Sequence, residues 1–236
     1  MLNETTEITP ARIYLQPVAA PSILGLFGFA GATFMLSAHL AGWYGSDMTS
    51  LYLAPFAFMF GGAAQFLAGM WAFKARDGLA TAMHGLWGSF WIAFGILTYM
   101  FRATGLPAGS FPELGYWFIV LAAITAMGAW AALAENISLF LVLAFLATGS
   151  CLEAIAKLTG DVGALQMAAG YALLISSFIA FYTATALMLA EAYGRPVLSL
   201  GKTKRGEQAP IITLGAGEPG VIRGQNLNLA PGESAS

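Results

Sequence analysis

Two polar side chains, Gln65 and His84, interrupt long apolar stretches in the middle of the chain. The amide of Gln65 can donate and accept hydrogen bonds, and the imidazole of His84 can take up a proton near neutral pH. The region around them, Gly61 to Trp91, has two arms without Asp, Glu, Lys or Arg, joined by a charged turn at residues 74–77. This pattern is typical of a helical hairpin that crosses a bilayer twice. Because polar groups at membrane depth usually face the interior of a bundle, we expect the hairpin to line a passage. The alternative is that both residues only pack and hydrogen-bond between helices.

A second candidate for chemistry is the pair Glu153 and Lys157, four residues apart in the favourable order for an ion pair along one helix. Pairing alone would explain two charges inside an apolar segment. If Lys157 instead reaches outward, Glu153 is free to carry a proton. The two His residues and the single Cys151 have no metal-site spacing, and no phosphate-binding loop or nucleophile motif is present. The sequence therefore predicts no metal, no cofactor and no enzymatic activity.

The elements that hold these residues follow from composition. The chain has 236 residues, of which 58% are hydrophobic and 9% charged, whereas soluble domains carry about 25% charged residues. Runs without Asp, Glu, Lys or Arg cover 13–46, 48–73, 78–101, 114–134, 136–152 and 162–190. Each run can supply a spanning helix of about 20 residues, if the fifth continues to about Leu158. The sequence therefore predicts an all-α integral membrane protein, a bundle of six transmembrane helices.

Charge and composition also predict the domain limits and topology. We expect a cytoplasmic leader at 1–21, the six-span domain at 22–195, and a cytoplasmic, largely disordered tail at 196–236. Eight of the ten Lys and Arg residues fall on the side of the termini, which predicts that both termini are cytoplasmic in a cell (inner or plasma) membrane. The net charge of -2 gives no reason to expect a nucleic-acid partner.

Three local features are predicted within the spans. Pro55 removes a backbone hydrogen bond and should disturb the second helix near its outer end. Asn136 or Ser138 should cap the fifth helix. Glu191 and Arg195 are four residues apart near the end of the sixth helix, which predicts a structural or assembly ion pair there.

Four segments resemble, in order, motifs of the acetate uptake (succinate-acetate permease) transporter family. They are LGLFGFA at Leu24–Ala30, GGAAQFLAG at Gly61–Gly69, WGSFW at Trp87–Trp91 and EAYGR at Glu191–Arg195. In the third motif Trp87 stands where the family has Tyr. The resemblance implies a six-helix subunit, a hexameric ring with one pathway in each subunit, and movement of acetate and, in some members, succinate.

The same resemblance implies an apolar constriction. The family forms it from a Phe of the first helix, the Tyr of the third motif and a Leu of the fifth helix. Carried over by position, these are Phe29, Trp87 and Leu152. Indole is bulkier than phenol and only donates hydrogen bonds, so we expect a tighter gate here.

A small carboxylate that crosses such a pathway needs donors to replace water around its oxygens and an apolar surface for its methyl group. We expect Thr33, Gln65 and Ser89 to supply the polar contacts. Glu153 and His84 are the candidates for proton coupling, since both can change charge inside the bilayer.

The resulting hypothesis is transport of small monocarboxylates, acetate and possibly succinate, by channel-like permeation or proton-coupled symport. Its partners would be the carboxylate, the lipid bilayer and further copies of the chain. One alternative is permeation of ammonia, ammonium or another small solute. Another is a membrane sensor or assembly module that acts through the C-terminal tail, Gly201 to Ser236.

Overall fold

The structure is a computed structural model, and it describes residues 18–105, 112–160 and 163–201. The regular elements in these ranges are α1 (Pro21–Leu40), α2 (Thr49–Phe56), a π-helical segment (Ala57–Ala64), α3 (Gln65–Ala75), α4 (Gly78–Thr104), α5 (Pro112–Ala132), α6 (Ile137–Thr159) and α7 (Ala164–Tyr193). The elements α2, the π-helical segment and α3 run on as one span, so six spans are long and apolar enough to cross a membrane. The predicted all-α, six-helix fold is confirmed.

The six spans close into a ring. Helix α5 packs against α6, α6 against α7, and α7 against α1; α1 packs against the second span, which packs against α4. Helices α4 and α5 meet along a shorter contact that completes the ring. Most of the buried apolar side chains of these helices form one large cluster, and a smaller cluster lies between the end of α1 and α7.

Pro55 disturbs the second span as predicted, though over a longer stretch. It lies inside α2, and eight residues of π-helix begin two positions later at Ala57. Proline leaves a carbonyl of the preceding turn without its donor, and π-helical turns often mark functional sites. Within this segment the backbone of Gly61 lies against the Trp91 ring: a Cβ at this glycine would be 2.6 Å from the indole Cγ. The π-helical segment therefore brings the second span into direct contact with the cluster of rings on α4.

Two side chains cap helices on the side of the termini. Asn136 accepts a hydrogen bond from the Leu139 amide at 2.8 Å, which confirms it as the cap of α6. The other candidate, Ser138, instead shares a 2.6 Å hydrogen bond with the Thr183 hydroxyl. Asp77 caps α4 in the same way.

The predicted ion pair between Glu191 and Arg195 is absent from the described part of the chain. Instead, Oε1 of Glu191 accepts a 2.7 Å hydrogen bond from the backbone N–H of Ala20, just before α1. A free amide at a helix start is a better fixed donor than a flexible guanidinium beyond a helix end. The contact places the start of the first span and the end of the last on one side of the bundle.

The chain folds back after α7. The carbonyls of Leu200 and Gly201 accept hydrogen bonds from the Ser138 and Ile137 amides at 3.0 and 2.8 Å, and the Tyr182 hydroxyl donates to the Ser199 carbonyl at 2.7 Å. Residues 196–201 are therefore docked on the start of α6, although the sequence predicts a tail from 196. The rest of that tail, 202–236, and residues 1–17 of the leader lie outside the described residues.

Candidate functional site

A cavity of about 300 Å³ lies between the helix ends farthest from the termini, and we name it the distal cavity. All six spans contribute to its wall, which is mostly apolar and aromatic. The polar side chains in the wall are Thr33, Ser37, His39, Ser50, Thr98, Glu153, Lys157 and Gln166. This volume is large enough for a small organic ion together with several water molecules.

A smaller cavity of about 40 Å³, the proximal cavity, lies toward the helix ends on the side of the termini. Gln65 and His84 line its inner part, and Asp77 and Glu135 lie at its outer end, in the turns before α4 and α6. Its size suits one or a few water molecules.

Glu135, at the outer end of this cavity, has a raised pKa. More than a third of the Glu135 surface is exposed, yet the surrounding protein removes water from the carboxyl group and Asp77 adds a second negative charge. Together these effects raise the pKa of Glu135 to about 7.

The two cavities meet at a layer of large apolar side chains. Trp87 and Leu146 line both of them, and Phe29 lines the proximal one. These three side chains are 3%, 2% and 2% exposed, so the layer that separates the cavities is closely packed. The structure thus brings together two of the three predicted constriction residues, Phe29 and Trp87.

Leu152, the third predicted constriction residue, lies in neither cavity wall and is only partly buried. Leu146 takes the central position from α6. Six residues on a helix turn the side chain by about 240°, so the two leucines cannot share a face. Leu146 is seven residues before Glu153 and therefore lies on the same face of α6 as that carboxyl group.

Ser89 is also placed differently from the prediction. It is exposed on the outer surface of α4, and its hydroxyl donates to the Gly85 carbonyl at 2.7 Å. Two residues after Trp87, it points about 200° away around the helix. Ser89 therefore lies outside the walls of both cavities.

Three other predicted residues are buried in cavity walls. Thr33 lines the distal cavity, whereas Gln65 and His84 line the proximal one. Each has a buried polar atom without a hydrogen-bond partner among the described residues: Oγ1 of Thr33, Oε1 of Gln65 and Nδ1 of His84. His84 packs on the backbone of Gly25 in α1, where a Cβ would lie 2.5 Å from Nδ1. Buried polar atoms without partners cost free energy, so these sites suit water or a polar solute that passes.

Glu153 and Lys157 form the ion pair that their spacing predicts. Nζ of Lys157 lies 3.5 Å from Oε2 of Glu153, and both side chains line the distal cavity. The Glu153 side chain is 3% exposed and that of Lys157 is 17% exposed. Oε1 of Glu153 has no hydrogen-bond partner within the described ranges. Lys157 therefore does not leave Glu153, and the pair presents a positive and a negative group to the same cavity.

The Trp87 ring is held by its surroundings. Its Nε1–H donates to the Thr125 hydroxyl of α5 at 3.0 Å, and Phe90 packs edge-on at 5.4 Å between ring centres. Phe90 in turn contacts Trp91 and Phe118. The layer between the two cavities is thus backed by aromatic rings from α4 and α5.

Sequence reasoning did not identify Leu146, Thr125 or Glu135. The spacing of seven between Leu146 and Glu153 was an available signal, since it marks a common face of α6. Thr125 gives no such signal, because its role depends on how α5 meets α4. Glu135 resembles any charged turn residue until its proximity to the cavity and to Asp77 is known. Across 18–105, 112–160 and 163–201, no three His, Cys, Asp or Glu side chains are grouped to hold a metal ion.

Comparison with known protein families gives one family match. The model of the GPR1/FUN34/yaaH family matches residues 4–195. Among solved structures, one described as the structure of the bacterial acetate channel SatP is similar with a TM-score of 0.72 and 27% sequence identity. The match covers 78% of this chain and all of that one.

Curated relatives agree with this match. The succinate-acetate/proton symporter SatP of Escherichia coli (strain K12) is 28% identical over 186 residues, which cover 79% of this chain and 97% of the symporter. Acetate permease A of Emericella nidulans is 28% identical over 71% of this chain and 61% of its own length. Ammonia transport outward protein 2 of Saccharomyces cerevisiae is 29% identical over 76% of this chain and 64% of its own.

Proposed function

The chain belongs to the GPR1/FUN34/yaaH family, and from that premise we propose that it passes acetate and related small carboxylates through the centre of its own helix bundle. It is a multi-pass membrane protein, so its substrate must cross a bilayer. One observation carries the proposal: two cavities enter the bundle from opposite ends and share a single apolar layer around Trp87 and Leu146.

The distal cavity suits the capture of a small carboxylate. Lys157 supplies a positive charge, and the neighbouring Glu153 keeps that charge from holding an anion too tightly. The aromatic wall offers contact for the methyl or short alkyl group. Conduction requires this combination, since a site that binds an anion strongly also releases it slowly.

The constriction imposes a different requirement. An ionised carboxylate without partners is costly in an apolar layer, whereas the neutral acid loses much less on leaving water. Glu153 on the distal side and His84 on the proximal side flank this layer, and each can bind a proton. In the proposed cycle, Glu153 first takes up a proton from the distal side, which interrupts its ion pair with Lys157, and passes this proton to the carboxylate before the acid crosses the Trp87 layer. Beyond the layer His84 accepts the proton from the acid and releases it to the proximal side, while Glu153 pairs with Lys157 again.

The basic activity is tested with purified full-length chain in sealed vesicles. Uptake of radiolabelled acetate should exceed that of protein-free vesicles and should increase when the outside is made acidic. Succinate and formate should compete if the pathway accepts small carboxylates generally. Acetate permeability equal to that of bare lipid would overturn the proposal.

The proton step is tested with Glu153→Gln. This variant keeps the size of the side chain and removes its charge and its proton exchange, so acetate uptake should lose most of its dependence on a pH gradient. Glu113→Gln is the matched control, because Glu113 is an exposed carboxyl group at the start of α5 on the same side of the bundle. An unchanged pH profile in Glu153→Gln would refute the coupling role.

Ammonium transport is the second candidate function, and the yeast relative named for ammonia transport is the observation that favours it. Ammonium chloride should then compete with labelled acetate or be taken up itself in the same vesicles. Competition by formate but not by ammonium would exclude this reading in favour of carboxylate transport.

We also propose a hexameric assembly, which rests on the family resemblance. Each subunit has its own pair of cavities, so the pathway lies within a subunit and not on the ring axis. Light scattering of the purified protein, corrected for bound detergent, should give six times the mass of the chain.

A further inference from the structure

The Trp87 indole is the only ring of the constriction that carries a polar atom, and this atom is already bonded. Its Nε1–H donates to Oγ1 of Thr125 at 3.0 Å, and the same hydroxyl donates its proton to the Leu121 carbonyl at 2.6 Å. Thr125 is completely buried and Trp87 is 3% exposed. The hydroxyl proton is thus committed to its own helix, which leaves the oxygen lone pair directed to the indole.

This hydrogen bond spans two helices that otherwise meet along a short contact, α4 and α5. Because Thr125 is β-branched and its hydroxyl bonds to the preceding turn, its position on α5 is well fixed. The indole is held at Nε1 by Thr125 and along its edge by Phe90. The orientation of the ring that closes both cavities is therefore set from α5.

The hydrogen bond between Trp87 and Thr125 also determines which chemical groups a solute meets at the constriction. A free indole N–H in a dry layer would donate a hydrogen bond to the carbonyl oxygen of the neutral acid, or a stronger one to a carboxylate, and hold the solute there. Since Thr125 occupies the N–H, Trp87 presents only its apolar ring surface to the pathway. A short acid can pass this surface without being trapped.

We propose that Thr125 is a positioning residue that sets both the aperture and the apolar character of the constriction through Trp87. The role rests on the transport function proposed above. Thr125 lines neither cavity, so it does not touch the solute and acts only through the indole.

The test compares Thr125→Val with Thr125→Ser in vesicles. Valine keeps the shape and removes the acceptor, so the ring should become free to turn, and butyrate flux relative to acetate flux should rise by about threefold to tenfold. Serine keeps the acceptor and should hold this ratio within about twofold of the unsubstituted chain. Thr148→Val is the matched control, since Thr148 is an exposed threonine whose hydroxyl bonds only to its own helix.

A double-mutant cycle separates positioning from general loss of structure. In a Trp87→Phe background the N–H is gone, so Thr125→Val should leave the flux ratio unchanged. If Thr125→Val changes the ratio by the same factor with Phe at position 87, the residue does not act through the indole and the proposal fails.

A spectroscopic measurement makes the result independent of transport. In nitrogen-15 spectra of the detergent-solubilised protein, the Trp87 indole signal is identified by its loss in Trp87→Phe. Thr125→Val should shift this signal and accelerate its hydrogen exchange, and Thr125→Ser should not. An unmoved signal in Thr125→Val would overturn the proposal, whereas a moved signal in a chain without acetate flux would refute only the transport function.

Discussion

At the scale of single residues, the constriction depends on which face of a helix a side chain occupies. Leu146 lies on the face of α6 that holds Glu153 and reaches both cavities, and Leu152 does not. Both residues are leucines in one helix, so neither composition nor hydropathy distinguishes them. Their contrast therefore offers a direct test of the pathway.

Leu146→Ala should open the constriction and increase propionate flux more than acetate flux. It removes a side chain that is 2% exposed, so it should also lower stability by about 2 kcal/mol or more. Vesicle uptake gives the first quantity and thermal unfolding in detergent the second. Leu152→Ala, in the same helix, is the control and should change neither solute preference nor flux. Equal effects of the two substitutions would contradict the assignment of Leu146, and not Leu152, to the layer between the cavities.

Glu135 should make flux depend on pH on the side of the termini. Its carboxyl group, with a pKa raised to about 7 by burial and by Asp77, is neutral below that pH and negative above it. Acetate entry from this side should therefore fall as pH rises through about 7, and Glu135→Gln should flatten the fall. The stability of the fold should change with pH in the same direction. Because the pKa of Glu135 is raised in the folded state, its contribution to the free energy of unfolding is largest at acid pH and declines as pH rises towards 7.

The other titratable groups that line the proximal cavity with Glu135 are Asp77, just before α4, and His84. Asp77→Asn should lower the pKa of Glu135 and shift the fall in flux to lower pH. If Glu135→Gln preserves the unsubstituted pH profile, these carboxyl groups do not control entry.

At the scale of elements, glycine sets how closely the second and third spans approach. A Cβ on Gly69 would lie 2.5 Å from the backbone nitrogen of Gly85, and one on Gly88 would lie 2.5 Å from that of Phe66. Small residues allow such contact between membrane helices, where packing replaces the hydrophobic effect as the driving force. The crossing of α3 and α4 positions Gln65 and His84 in one cavity.

Gly69→Val should separate α3 from α4 and destabilise the fold by about 1–3 kcal/mol, because the neighbouring atoms belong to backbone and cannot turn aside. Gly78→Ala is the control within the same hairpin, since no atom lies within 4 Å of a Cβ there. Unfolding midpoints of the two variants in detergent should differ clearly. Equal midpoints would show that the close crossing is not required.

At the scale of the whole molecule, the segment 196–201, which follows the last span, is hydrogen-bonded to the bundle. The carbonyls of Leu200 and Gly201 bond the first amides of α6, and Glu191 bonds the amide before α1. Helix starts carry amides without partners, so these bonds stabilise two spans at once. The segment 196–201 is thus structural, whereas a sensor or assembly module would need the residues beyond it.

Deletion of 202–236 should leave acetate flux in vesicles unchanged if transport is the core activity. Deletion of 196–236 should in addition lower the unfolding midpoint, because it removes both carbonyls from the start of α6. The two truncations differ only by the docked segment and serve as each other's control. A complete loss of acetate flux on deletion of 202–236 would favour the sensor or assembly alternative.

The number and type of the membrane-spanning elements were predicted correctly from the sequence. Charges are costly in hydrocarbon, so the long runs of sequence without charged residues mark the six spans. The buried positions of Phe29, Trp87, Thr33, Gln65 and Glu153 were likewise predicted by position in motif or by polarity at membrane depth. In each case a local property of the chain is enough.

Only the tertiary structure decided which of these groups meet. It replaced Leu152 with Leu146, turned Ser89 to the outer surface, bonded Glu191 to Ala20, and joined Trp87 to Thr125. The physical reason is that hydropathy is nearly uniform around these helices, since both lipid and bundle interior accept apolar side chains. Periodicity therefore does not reveal the inward face, and helix rotation follows from glycine contacts and hydrogen bonds between segments distant in sequence.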